Sequence, residues 1–268
     1  MQITPLPRCS NDLDMAQLPS GVTVDFYEEL DSTSAQARRR APHMGTREKS
    51  WIIARRQSAG YGRRARSWQS GDGEFTATLS FCSSAPLQKL GELSFVAALA
   101  VHDALINDVS SEVLQLKWPN DVLIGGAKVA GLLLEHLEVS SRARILIGIG
   151  INIEHSPRDT PYPATCLAAH AKTLPSPHAL LARIDAAFWP IVAAWEKTGF
   201  GGVRREWLAR AAGVGEPIRA VLPSESVDGV FETIDENGAL VLRSGSRTRI
   251  ISAGDVFFGS SANAVPTD

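Results

Sequence analysis

Apolar positions along the chain repeat at two periods, and the switches between them outline the elements. Trp51-Ile52-Ile53-Ala54 is a short unbroken apolar run that predicts a buried strand. Phe75, Ala77, Leu79 and Phe81 alternate with Glu74, Thr76, Thr78 and Ser80, the period of a half-buried strand. Leu90, Leu93, Ala97, Val101 and Ala104 then recur every three or four residues, which predicts a helix. Leu114, Leu116 and Trp118 start another strand. Gly125-Gly126 joins Val122-Leu123-Ile124 to the segment from Val129 to Leu134 as a hairpin, and Ile145 through Ile153 reads as a long apolar strand. A helical stripe returns at Leu181, Ile184, Phe188, Ile191 and Trp195, with Pro190 as the expected kink.

Punctuating residues supply the boundaries. Thr33, with Gln36 three residues on, reads as a capping box opening a short helix that ends near Pro42 and Gly45. The stretch from Gln57 to Gly73, rich in Gly, Arg and Ser, predicts a loop. Residues 156 to 177, with Pro157, Pro161, Pro163, Pro175 and Pro177, read as connection. After Gly213 the texture changes to short strands with turns at Asp228-Gly229, Asn237-Gly238 and Ser244-Gly245, an all-β module of roughly fifty residues. The tail after Gly259 is expected to be disordered. The layout is α+β, with an N-terminal extension (1–20), a mixed-sheet main domain (21–212), a small all-β domain (213–260) and a tail (261–268). No internal repeat is visible.

Composition fits a cytoplasmic globular enzyme. At 268 residues, 44% hydrophobic and 21% charged, the chain can bury one core and leave material for a small second domain. A net charge of −2 provides no global field toward nucleic acid or a membrane. Charge is uneven, however, because Arg38, Arg39, Arg40, Arg47, Lys49, Arg55, Arg56, Arg63, Arg64 and Arg66 crowd one stretch. Cys9, Cys82 and Cys166 are too widely spaced for a metal site and suit free thiols in a reducing compartment. The first twenty residues lack an apolar h-region, and no apolar run is long enough to span a bilayer.

The strongest chemical signal is Lys117-Trp118-Pro119-Asn120-Asp121-Val122, followed by Lys128-Val129-Ala130-Gly131-Leu132-Leu133-Leu134-Glu135. These runs gather lysine, amide and carboxylate around one strand turn, as a site handling a phosphorylated carboxylic acid requires. Each residue also has a plainer reading. Lys128 suits an exposed hairpin lysine, or a cation offsetting the charge that builds up as a carboxylate attacks an α-phosphate. Asp121 and Asn152 suit turn residues. Ser32 and Thr33 suit a helix cap, a place that also favours ligand contact. Gly60-x-Gly62-x-x-Ala65 formally matches a dinucleotide fingerprint, but no helical periodicity follows it, and there is no Gly-Lys-Ser/Thr for a P-loop. The arginines around Trp68 fit a solvated face, a nucleic-acid patch, or an ATP site in which guanidinium groups meet phosphate and an indole stacks on adenine.

In order along the chain, Gly60-Tyr61-Gly62-Arg63-Arg64-Ala65-Arg66-Ser67-Trp68, the Lys117 run, the Lys128 frame and Gly148-Ile149-Gly150-Ile151-Asn152 resemble the biotin protein ligases, over roughly residues 22 to 260. The resemblance implies a catalytic domain of the biotin/lipoate ligase type and a C-terminal SH3-like barrel. It makes Lys128, Arg63 and Asp121 catalytic. Ser32, Thr33, Gln57, Gly60 and Gly131, with Arg63 and Lys128, become the biotin contacts; Arg64, Arg66, Trp68, Lys117, Asn120 and Asn152 become the ATP contacts. Asp121 is a candidate for Mg²⁺ or for the acceptor lysine. Biotin and ATP are then substrates, the acceptor is a biotin carboxyl carrier domain, and neither nucleic acid nor a membrane is an expected partner.

Three departures stand out. Tyr61 replaces the usual Arg, Ala65 the usual Gly and Ser34 a common Asn; if position 65 needs positive φ, Ala costs about 1 kcal/mol there. About twenty residues before the catalytic domain are too few for a winged helix, so the expectation is a form without repressor function. A lipoate ligase is the nearest alternative, although its Arg-Arg-x-x-Gly-Gly-Gly loop is absent. A nucleic-acid-binding regulator would rest on the basic cluster alone. A non-catalytic biotin-binding module is the third.

Overall fold

The computed structural model describes residues 18–139, 142–158 and 160–259; the first seventeen residues, with Cys9, and the tail from 260 lie outside the described residues. Seven strands form a mixed sheet: β1 (Thr23–Leu30), β2 (Ser50–Gln57), β3 (Phe75–Ser83), β4 (Leu114–Lys117), β5 (Asp121–Ile124), β6 (Ala127–Val139) and β7 (Arg142–Ile151). Their order is β1-β2-β3-β7-β6-β5-β4. β1 and β2 pair in parallel, with the crossover made through α1 (Thr33–Arg40), and the other neighbours are antiparallel. Both faces are covered, which is why Trp51–Ala54 is apolar without a break. Trp51 and Ile53 join the core under α2 (Leu93–Leu105) and α3 (Pro177–Thr198), whereas Ile52, Ala54, Leu30 and Leu146 pack with Ala37 of α1.

That second cover corrects the reading of β3 as half-buried. Thr76, Thr78 and Ser80 are as buried as their apolar neighbours, because α1 and the segment after it roof their face. Polar alternation here marks a hydroxyl-lined layer instead of solvent. Thr76 donates to the Ala54 carbonyl at 2.8 Å, Thr78 to the Thr33 hydroxyl at 2.9 Å, and Ser80 accepts from the buried Arg144 at 3.3 Å. The helix start also moves by one residue. Ser32 is the N-cap, its Oγ accepting from the Ala35 N–H at 3.4 Å, while Gln36 turns to Tyr27 and Arg39 instead of back to the cap.

The Gly125-Gly126 hairpin is as expected, with both residues at positive φ (56° and 80°), the condition of a tight two-residue turn. α3 continues through Pro190 as one element. Sequence periodicity missed β1, whose outer edge is exposed and whose alternation is blurred by Phe26 and Glu29 facing water. It also missed α4 (Phe200–Leu208), which follows α3 across Gly199. Beyond α4 the chain covers the free edge of β4: Leu116 N–H donates to Arg210 O, and Ala212 N–H donates to Leu116 O, each at 2.8 Å.

The C-terminal module is a five-stranded antiparallel sheet of β8 (Pro217–Val221), β9 (Ser226–Ile234), β10 (Leu240–Ser244), β11 (Arg247–Ile251) and β12 (Asp255–Phe258), ordered β11-β10-β9-β8-β12. Turns form at Asn237-Gly238 and Ser244-Gly245, both glycines having positive φ. Asp228-Gly229 is not a turn. It lies inside β9, where Gly229 makes room for the Arg243 carbonyl, 2.5 Å from where a Cβ would stand. The module docks through buried contacts: Trp118 Nε1 donates to Gly238 O at 2.9 Å and Arg204 Nε to Ile234 O at 2.7 Å. Its apolar residues merge with the main core. No described helix is long and apolar enough to cross a membrane.

Gly238 is the tightest point of that contact, since an added Cβ would stand 2.6 Å from the Phe95 ring at φ +81°. Gly238→Ala should destabilise the protein by about 2–4 kcal/mol in denaturant titration, from the positive φ and the overpacking together. Gly245→Ala, facing open space at φ +61°, should cost about 1 kcal/mol. Equal small losses at both positions would show that the module is not docked through Phe95.

Candidate functional site

The site is built on a floor of missing side chains. Gly131 of β6 and Gly150 of β7 are paired across the strands, and the indole of Trp68 lies on them. A Cβ at Gly150 would stand 2.3 Å from that ring, and one at Gly131 would stand 3.1 Å from it and 3.0 Å from Lys128 Nζ. A flat ring fits there only because both positions are glycine.

Trp68 is delivered by the predicted loop, which folds as a small tongue. Trp68 N–H donates to Gly60 O at 2.9 Å, Gly62 N–H to Arg66 O at 2.8 Å and Arg66 N–H to Arg63 O at 3.2 Å. Arg64 and Ala65 at its tip both have φ of 56°, the requirement of a type I′ turn. Position 65 therefore does need positive φ, and alanine occupies it at a cost.

The charged cluster owes its geometry to a bulge. Asp121 pairs with Gly131, yet Leu123 pairs with Lys128, so the register shifts around Val129. The odd residue brings the Lys128 side chain to the face of Asp121. Lys128 Nζ lies 2.6 Å from Asp121 Oδ1, and Lys117 Nζ lies 3.7 Å from Oδ2. Oδ1 is sealed from water and has an ionic partner without hydrogen-bond alignment. Burial alone would push the Asp121 carboxyl up, but the ammonium groups of Lys128 and Lys117 outweigh it and hold the carboxyl below its ordinary value. Lys117 itself is lowered to about 8, first by burial, with Asp121 opposing. Its ammonium sits 3.5 Å from the centre of the Tyr162 ring. Burial raises the Tyr162 phenol. Lys128 is 5.6 Å from the Trp68 ring centre.

On the other side of the tongue a chain of buried hydroxyls ends in an amide. Ser34 Oγ lies 3.1 Å from Thr78 Oγ1, Thr78 donates to Thr33, and Thr33 donates to Gln57 Oε1 through both its hydroxyl (3.1 Å) and its N–H (2.8 Å). Gly60 closes this side, since a Cβ there would stand 2.8 Å from Gln57 Nε2. Ser32 stays at the helix cap. Asn120 donates to Leu132 O and accepts from Arg63 Nη1 at 3.2 Å. Asn152 spends its amide N–H on Thr165 O at 2.9 Å, bracing a segment whose Pro163 carbonyl accepts from the Lys128 N–H.

Arg64 and Arg66 are not drawn to the lysines. Together with Arg63 they converge on Asp255 of β12, at 3.1, 2.5 and 3.7 Å. Other members of the basic cluster are paired too: Arg38 with Glu135, Arg39 with Asp31, Arg40 with Asp25, Arg55 with Glu28 and Asp72, and Arg56 with Glu29 and Asp72. The cluster is thus largely neutralised and does not form a bare basic face. Asp255, Tyr162 and Thr78 were invisible in the sequence reading: Asp255 meets its arginines across 189 and 191 positions, Tyr162 sits in a proline-rich connection, and Thr78 passed as a solvent-facing strand residue. Among the described residues, no three His, Cys, Asp or Glu side chains group to hold a metal ion.

Two family models match this chain. Residues 27–152 match the biotin/lipoate A/B protein ligase family, and residues 213–259 match the biotin protein ligase C-terminal domain. A biotin--[acetyl-CoA-carboxylase] ligase of Paracoccus denitrificans is 39% identical over 236 residues, covering 85% of this chain and 98% of that protein. The bifunctional ligase/repressor BirA of Bacillus subtilis is 30% identical, covering 87% of this chain and 73% of that protein. In fold, the chain is similar to a biotin protein ligase from Aquifex aeolicus solved with biotin and ATP, with a TM-score of 0.72 at 24% identity over 87% of this chain and 97% of that one.

The strained tip yields a direct test. Ala65→Gly should favour the folded tongue by about 1 kcal/mol, seen as slower amide exchange at Gly62 and Trp68. Faster exchange in that variant would contradict the turn geometry.

Proposed function

The chain belongs to the biotin/lipoate A/B protein ligase family, and from that premise we propose that it is an ATP-dependent biotin protein ligase. It activates biotin as biotinyl-5′-AMP and transfers it to a lysine of a biotin carboxyl carrier domain. The observation that carries this reading is the Lys128–Asp121–Lys117 cluster beside a glycine floor that receives the Trp68 indole of an arginine-bearing tongue. The relatives' names specify biotin, and the match over 213–259 is to a biotin ligase domain, which favours biotin over lipoate. The Paracoccus relative's name makes the carrier of an acetyl-CoA carboxylase the first acceptor to try.

In the first half-reaction a biotin carboxylate oxygen attacks the α-phosphorus of Mg·ATP and pyrophosphate leaves. Two anions must meet, and the Lys128 ammonium stands where their charges add, with Arg63 beside it. Lys117 faces the phosphates. Asp121, the carboxylate of the cluster, holds both lysines and would be the residue to orient the acceptor amine or a Mg²⁺ carried by the nucleotide. The ureido group of biotin has two N–H donors and one carbonyl, which match Ser32, Thr33, Gln57 and the backbone at Gly60 and Gly131. Trp68, Asn120 and Asn152 serve the nucleotide, and Arg64 and Arg66 reach it by exchanging Asp255 for phosphate. In the second half-reaction the carrier lysine attacks the acyl carbon, AMP leaves and an amide forms, with the tongue excluding water until then.

Mass spectrometry of a carrier domain incubated with the protein, Mg·ATP and biotin should show one added biotin; lipoate in its place would turn the reading to the lipoate alternative. Lys128→Ala should lower pyrophosphate formation by a factor on the order of 10² to 10³ with biotin binding largely intact. Arg63→Gly should still form biotinyl-adenylate but lose it to bystander lysines. Normal adenylation by Lys128→Ala, or strict carrier specificity in Arg63→Gly, would remove the corresponding assignment.

A pH dependence follows from Lys117. Its folded-state value, about 8, lies below the ordinary lysine value, so the charge that meets phosphate is lost as pH rises through about 8. The KM for Mg·ATP should therefore climb above that pH. Lys117→Arg, which stays protonated, should remove the climb; its persistence would assign the limb to another group.

A further inference from the structure

Tyr61 enters the tongue at the position where arginine is expected, and no step above uses its phenol. The hydroxyl donates to Glu135 Oε2 at 3.4 Å, while the other Glu135 oxygen accepts from Arg38 Nη2 of α1. Glu135 lies four residues beyond Gly131 on β6, hence on the same face of the sheet as the glycine floor. Across the tongue Tyr61 bridges to Ser67, the neighbour of Trp68. A shift of Tyr61 is thus passed to the indole on the floor. Asp255 holds the arginines of the tip. An arginine at position 61 would compete with Arg38 for Glu135, whereas a phenol adds a neutral donor without displacing it. Burial pushes the phenol up, so it remains a donor at neutral pH.

We propose that Tyr61 is a positioning residue of the ligase reaction: bonded to the Glu135–Arg38 pair, it holds the tongue shut over the activated intermediate until the carrier lysine arrives. The proposal rests on the ligase reading. Tyr61 touches no reacting atom, so its removal should spare adenylation and affect retention.

Tyr61→Phe deletes a single oxygen. Biotin-dependent ATP–pyrophosphate exchange should stay within about twofold of wild type, while biotin transferred to a bystander protein in the absence of carrier should rise roughly two- to fivefold, the effect of losing one long hydrogen bond. Glu135→Gln should leak similarly, and the double variant no more than either single one, since all break one network. Wild-type exchange with no added leak in Tyr61→Phe, or additive leaks in the double variant, would overturn the positioning role alone. Absence of exchange in the wild-type protein would overturn the ligase reading itself.

Discussion

The Asp121 carboxylate has one oxygen sealed from water and keeps its charge because two ammonium groups stand beside it. Much of the main domain can be understood as the means of holding that trio. β4 ends at Lys117, β5 begins at Asp121, and the two-glycine hairpin returns the chain so that a bulge at Val129 swings Lys128 to the face of Asp121. The same strand then supplies Gly131 and Glu135, which receive the indole and the phenol of the tongue. One register shift thus sets the charge, the floor and the anchor together. Removing Asp121 would leave two neighbouring ammonium groups without their counter-charge, and paired strands hold such a cluster more precisely than a loop would.

The C-terminal module takes part in this arrangement and is not a separate appendage. Its core is continuous with that of the main domain, and Asp255 gathers three tongue arginines that would otherwise repel one another. In the proposed reaction these guanidinium groups would exchange this carboxylate for phosphate, so nucleotide binding and module contact would draw on the same groups. Deleting the whole module would also expose Trp118 and Phe95, so a loss of activity after truncation mixes folding with loop control.

Much of this was legible in the sequence for identifiable reasons. The hairpin at Gly125-Gly126 and the continuous strand at 51–54 follow from local chemistry and from burial on both faces. Lys117, Asp121 and Lys128 come together as expected, because Lys117 and Asp121 flank one turn and the Gly125-Gly126 hairpin with its bulge returns Lys128. Ala65 stands where glycine is usual, and its φ is positive, the condition under which alanine carries a cost. What failed was long-range or ambiguous. Alternation on β3 could not distinguish water from a roof of helix, so Thr78 went unnoticed. Asp228-Gly229 has turn composition, but its glycine serves a close strand crossing. Ser32, not Thr33, caps α1, which frees the Thr33 hydroxyl for Gln57. Arg64 and Arg66 lie against Asp255, a partner that no local pattern reveals.

In the proposed reaction one carboxylate holds both ammonium groups of the cluster in place and keeps that of Lys117 charged against its burial. The pH profile of biotin-dependent pyrophosphate exchange in Asp121→Asn is the measurement that decides this. With the counter-charge gone, the rate should fall roughly a hundredfold, and the alkaline limb should move to lower pH because Lys117 loses the group opposing its burial. An unchanged rate with the limb still near its wild-type pH would show that Asp121 does not hold the site together.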